Sequence, residues 1–170
     1  MTMSSELHVR VTKGKGKPDT LTCRRPDGST TWARCPGPGL HDLIHYVVET
    51  ELGLENSFYS LVARGHDISD FNVPGASKAL NLPDEAGQTE FIVGLLQTEL
   101  ASGARFDDFV VEVRNACSVA GAPPPESITP SDVERIRTVM HQLLDDWANT
   151  TPGGFMGLIF PVSGSGPQTE

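Results

Sequence analysis

The stretch Cys35-Pro-Gly-Pro-Gly-Leu-His-Asp-Leu-Ile-His-Tyr-Val-Val-Glu-Thr-Glu-Leu-Gly53 marks the point where the chain changes its periodicity. Its two prolines lack an amide donor and its two loop glycines loosen the backbone, so no strand continues through it. From Leu40 onward the apolar residues Leu43, Ile44, Val47, Val48 and Leu52 recur at helical spacing, and Gly53 supplies a left-handed stop. The spacing predicts a helix of about 13 residues beginning at Leu40.

Upstream of this loop the period is two. Leu7 to Thr12 alternates apolar and polar residues, and Thr20 to Arg24 and Thr30 to Arg34 flank the turn signal Pro26-Asp27-Gly28-Ser29. A three-stranded antiparallel meander is expected. With Asp27-Gly28 as a two-residue turn, Cys23 faces Trp32 and Cys35 faces Thr20, which predicts sulfurs on opposite faces of the sheet.

Downstream, four more helices are expected. Ser57 to Arg64 reads as a short one; Ala86 to Ala101 and Phe106 to Ala120 carry apolar stripes; Thr129-Pro130-Ser131-Asp132 opens the last with a hydroxyl cap and proline at the first turn. Residues 66 to 83 read as a long surface excursion held by Ile68, Phe71 and Leu80, and such loops are often functional. Phe155 to Val162 reads as a strand added to the meander, because unpaired it would leave its amides without partners. The expected fold is therefore a single α+β domain over 1–162, an antiparallel sheet of three or four strands packed by about five helices, with 163–170 as a disordered tail.

With 170 residues, 38% hydrophobic and 21% charged, the chain can bury a core without a disulfide or structural metal. Three cysteines at unpatterned spacings read as reduced packing thiols. No apolar run approaches the roughly 20 residues of a membrane span. The N-terminus reads directly into a strand rather than a secretory signal, so a cytoplasmic location is expected. Residues 1–36 hold seven Lys or Arg against three acids, whereas residues 37–170 hold six against nineteen, within a net charge of -9. An acidic chain of this kind argues against nucleic acid and against an anionic membrane as partner.

The helix itself carries the chemistry. His41 and His45 lie one turn apart, Glu49 a turn further, and Asp42 beside them, within about 80 degrees for the first three at 100 degrees per residue. Two imidazoles at that spacing can share one metal ion, with Glu49, Glu90, His141 and Asp145 available as a third ligand. A polar helix face needs the same residues for solvation alone. The first turn also presents free amides and a positive dipole end to a small anionic ligand. Arg137, His141 and Asp145, four apart, read as an exposed ladder of ion pairs, and His66-Asp67 as a solvated loop pair.

His41-Asp42-Leu43-Ile44-His45 resembles the zincin metallopeptidase motif His-Glu-x-x-His, which implies zinc on the two histidines and the acid as general base. It departs from that motif in the shorter Asp42, and Val48 and Glu51 stand where the longer metzincin form has glycine and histidine. The His-Asp doublet also resembles the HD-domain phosphohydrolases, which are all-helical. The stretch His41-Asp-Leu-Ile-His-Tyr-Val-Val-Glu49, with its Pro-Gly loop and following short helix, is similar to a set of small bacterial proteins without assigned activity that carry the pattern Leu-x-His-Asp-Leu-x-His-aromatic-x-Val-Glu, mainly over residues 36 to 65, with Gly39 standing where that pattern has its first leucine. Two functions are thus expected. One is a non-catalytic binding or interaction domain whose sheet face or edge meets a partner, a second copy forming a homodimer. The other is a metal-dependent hydrolase, with a divalent metal such as zinc on His41 and His45 and with Asp42 or Glu49 as base or third ligand.

Overall fold

A computed structural model describes residues 5–163. Seven of the eight tail residues, 164–170, lie outside that range. Three strands open the chain, β1 (Glu6–Thr12), β2 (Thr20–Arg24) and β3 (Thr30–Arg34), and the last element, β4 (Phe155–Pro161), returns to β1. The sheet is antiparallel throughout in the order β3-β2-β1-β4. Between β3 and β4 run α1 (Leu40–Glu51), α2 (Phe58–Ala63), α3 (Ala76–Ala79), α4 (Asp84–Ser102), α5 (Phe109–Val119) and α6 (Pro130–Asn149). The architecture is the expected α+β arrangement. Six α-helices replace the anticipated five, because the 66–83 segment is organised by a 3-10 helix (Ile68–Asn72) and the single turn α3. No described helix is long and apolar enough to cross a membrane.

One face of the sheet is buried and the other exposed, as strand periodicity requires. Leu7, Val9, Val11, Leu21 and Cys23 point inward onto Leu43, Tyr59, Val62 and Trp147. A second cluster lies among the helices, where Ile44, Val47 and Val48 of α1 meet Ile92, Leu96, Val113, Ile136 and Met140. The apolar side of α1 therefore serves both cores, which fixes how the helix is rotated. Its start is fixed as well: Gly39 packs so closely that a Cβ there would lie 2.8 Å from Val11 Cγ1 and 3.2 Å from Trp147 Cζ2.

The hairpin between β2 and β3 differs from expectation by one residue. Gly28 N–H donates to Arg25 O at 2.9 Å and Arg25 N–H to Ser29 O at 2.8 Å, with Gly28 at φ 88°, so the loop is a three-residue turn closed by a glycine bulge. Cys23 consequently pairs with Thr31 rather than Trp32, and Cys35 lies across from Asp19. A one-residue shift moves a side chain to the other face. Both thiols therefore point into the same core, four residues apart along the strand direction or roughly 13 Å, too far to bridge.

Arg137 is a second correction. It is buried rather than part of an exposed ladder, and its guanidinium donates from Nε to Glu99 Oε2 at 3.0 Å and from Nη2 to Glu99 Oε1 at 2.5 Å. Glu99 also accepts Phe106 N–H at 3.0 Å, so the pair pins the α4–α5 connection to α6. Thr129 and Asp132 cap α6 reciprocally, as their spacing predicts.

Candidate metal centre

The polar side of α1 is not a solvated face. α2 and α4 lie over it, leaving His45 3% and Glu49 0% exposed. A buried polar group must find partners, and each of these does. Glu49 Oε1 accepts Tyr59 N–H at 2.9 Å, and its Oε2 lies 3.0 Å from His45 Nδ1. This carboxylate fastens the start of α2 to α1 and holds the His45 ring from behind.

The other ring nitrogen, His45 Nε2, lies 3.0 Å from Glu90 Oε1 on α4. Burial alone would lower the His45 pKa, but two carboxylates, Glu49 and Glu90, outweigh it and raise the imidazole to about 10. In the metal-free protein His45 is thus an imidazolium donating to both acids. Glu90, although its side chain is 57% exposed, is held below the usual carboxylate range by its hydrogen bond to His45 and by the charge there.

His41 is arranged in the same way one turn earlier. Its Nδ1 lies 2.9 Å from Gln97 Oε1, and an amide oxygen only accepts, so the proton sits on Nδ1. The other ring nitrogen, Nε2, lies 3.9 Å from Glu90 Oε2. Ligand atoms of His41, His45 and Glu90 all lie within 4.8 Å of one another. The two rings meet edge to face with centroids 4.8 Å apart, side by side rather than splayed.

A cavity of about 240 Å³ opens beside this group. His41, Asp42, His45 and Glu90, with Arg34 and Asn72, form its polar part, Leu21 and Ala33 reach it from the sheet, and Phe58, Ile68 and Phe71 form an apolar wall. Phe71, from the 3-10 helix, meets Phe58 edge to face with centroids 4.9 Å apart, and Phe58 in turn lies 5.8 Å from His45. The 66–83 excursion thus supplies one wall of the site. Arg25 anchors it, donating to Val62 O, His66 O and Asp67 Oδ1 at 2.7, 2.7 and 2.9 Å. Asp67 in turn caps the 3-10 helix, so His66-Asp67 is structural.

Asp42 accepts the Cys35 thiol at 3.2 Å, and burial pushes its carboxyl above the ordinary value. Burial and the neighbouring Asp42 likewise raise the Cys35 thiol, which keeps it protonated and unreactive.

Of the residues singled out by sequence, His41, His45 and Asp42 line the cavity, whereas Glu49 stands behind His45 with both oxygens engaged. Among the four choices for a third carboxylate or imidazole, Glu90 is the one that joins the histidines. At the start of α1, where a small anionic ligand was expected, Gly39 N–H donates to Asp19 Oδ2 at 2.8 Å. Gln97 and Arg25 went unnoticed in the sequence. Gln97 sits seven residues from Glu90, two turns along the same face of α4, and that spacing was the available signal. No family model, no curated sequence and no solved structure matches this chain.

Proposed function

We propose that this protein is a metal-dependent hydrolase in which His41, His45 and Glu90 hold one divalent cation and Asp42 is the general base. The observation that carries this reading is the common aim of two Nε2 atoms and one carboxylate, with each imidazole held at Nδ1 by an acceptor. Metal-ligating histidines almost always have such a partner, which fixes the tautomer and raises ligand basicity. A merely solvated helix face would need neither Gln97 nor the buried Glu49.

Two imidazoles and one carboxylate suit zinc, and also iron(II) or manganese, and leave positions for water and substrate. A bound cation supplies an acidified water and polarises a carbonyl or phosphoryl oxygen. The chain's own groups do the rest. Glu49 and Gln97 orient the rings, Asp42 takes up a proton at the cavity wall, and Phe58, Ile68 and Phe71 exclude bulk water and select a small, partly apolar substrate.

Metal-stripped protein titrated with zinc or manganese and assayed against small esters, amides and phosphoesters tests this directly. Metal should restore hydrolysis, and Asp42→Asn should lower it by about 10²- to 10⁴-fold while leaving metal stoichiometry unchanged. A fully loaded protein inert across the panel would contradict the catalytic half of the proposal. Failure to load would contradict all of it.

A further inference from the structure

Among the described residues, no strand pairs with the outer side of the β4 backbone. Lys13 N–H donates to Gly154 O at 2.8 Å and Val162 N–H to Ser5 O at 2.9 Å, so the even-numbered residues of this segment are hydrogen-bonded to β1. The amides and carbonyls of Phe155, Gly157 and Ile159 therefore point away from the sheet. Among the described residues Tyr46 reaches this row, its hydroxyl donating to Ile159 O at 2.8 Å, and that carbonyl keeps a second lone pair.

Edge strands are ordinarily protected by charge, bulges or a covering element. β3, at the opposite edge, ends in Arg34 and has the 3-10 helix against it, with Ile68 N–H donating to Thr31 Oγ1 at 3.1 Å. β4 reads Phe-Met-Gly-Leu-Ile-Phe-Pro and carries no charged residue. Two such strands can meet without like-charge repulsion.

We infer that two copies of the chain join edge to edge through β4, antiparallel about a dyad at Gly157, to make one continuous eight-stranded sheet. The residue order is self-complementary in that register. Gly157 faces its own copy, and Phe155 faces Ile159 of the partner subunit on the outer face. All three positions present outward amides and carbonyls, so the three pairs exchange about six hydrogen bonds. Phe155 and Ile159, 53% and 49% exposed, then cover one another, and the half-buried Met156 and Leu158 meet on the inner face. Pro161 falls opposite Gly153, where φ is 86° and the strand has already turned, so its missing amide interrupts nothing. Arg10, stacked 4.1 Å over Phe155, faces its copy across three strand spacings, about 14 Å, beyond the Debye length of about 8 Å.

The area involved is on the order of a few hundred Å² per subunit, below the roughly 800 Å² of a standard interface, so the dimer is a weak, reversible one. Sedimentation velocity of the untagged full chain across concentrations reads this out, with a single subunit at 18.3 kDa. The wild type should pass from one to two subunits. Gly157→Pro removes the central outward amide without touching a β1 bond and should abolish dimerisation, as should Ile159→Lys. Trp32→Ala, on the outer face but at the far strand, should change nothing. A strict monomer at hundreds of micromolar, a dimer indifferent to both β4 variants, a dimer lost with Trp32→Ala, or open-ended assembly would each overturn the inference.

Discussion

Replacing Glu49 by glutamine keeps the shape of the site and reverses its proton logic. Tyr59 N–H is a fixed donor 2.9 Å from Oε1, so the glutamine oxygen must stay there. Its NH₂ group then faces His45 Nδ1, where Oε2 lies 3.0 Å away in the wild type. His45 can meet that donor only as a neutral ring protonated on Nε2, which removes the lone pair from the metal side. One charge-assisted hydrogen bond of about 1.5–3 kcal/mol becomes a neutral one of about 0.5–1.5 kcal/mol, a loss of about 1–2 kcal/mol. For a chain of this size that lowers Tm by about 2–8 °C, so Glu49→Gln should fold. Metal affinity should fall by about 10- to 100-fold, as on loss of other groups that orient metal ligands. Titration calorimetry gives the affinity and nitrogen chemical shifts give the tautomer. A folded variant that binds zinc as tightly as wild type, with His45 still protonated on Nδ1, would refute the assignment of Glu49 as the group that orients His45.

Other consequences follow from packing and charge. Gly39→Ala forces a methyl toward Val11, Asp19 and Trp147 at 2.8, 3.1 and 3.2 Å and should cost about 1–3 kcal/mol in denaturant unfolding; an unchanged midpoint would mean that the α1 start can shift freely. Arg137→Met leaves Glu99 buried and unpaired and should cost about 3–5 kcal/mol, while the further change Glu99→Leu should recover part of it; a neutral single variant would show the pair to be dispensable. Hydrogen bonds from Thr129 hold the Asp132 carboxyl below its usual range. Its stabilising contribution is therefore complete above the unfolded carboxylate pKa of about 3.9 and drains away as pH falls through the lower folded value. Asp132→Asn should flatten the acid limb of the stability curve, and an unaltered limb would contradict the cap.

Local signals gave the elements and much of their order. The α1 stripe, the meander, the α6 cap and the return of β4 to β1 all follow from periodicity, stop residues and the need to pair amides. What periodicity cannot say is what packs over a given face. His41, His45 and Glu49 share a side of α1 by arithmetic, yet whether that side meets water or α4 depends on contacts between residues some fifty apart. Glu90 was accordingly one of four choices that spacing alone could not rank. The Cys23 reading failed for a more local reason. Pro26-Asp27-Gly28 supports both a two-residue and a three-residue turn, and a single residue in the loop decides which face every side chain of β3 occupies.

The site proposal rests on one point in space, bounded by His41 Nε2, His45 Nε2 and a Glu90 oxygen. Anomalous scattering at the zinc edge from crystals grown with equimolar zinc locates a bound cation directly. A single strong peak within about 2.0–2.2 Å of all three atoms is the predicted result. A peak elsewhere, or an empty site with His45 still bridging Glu49 and Glu90, would contradict it.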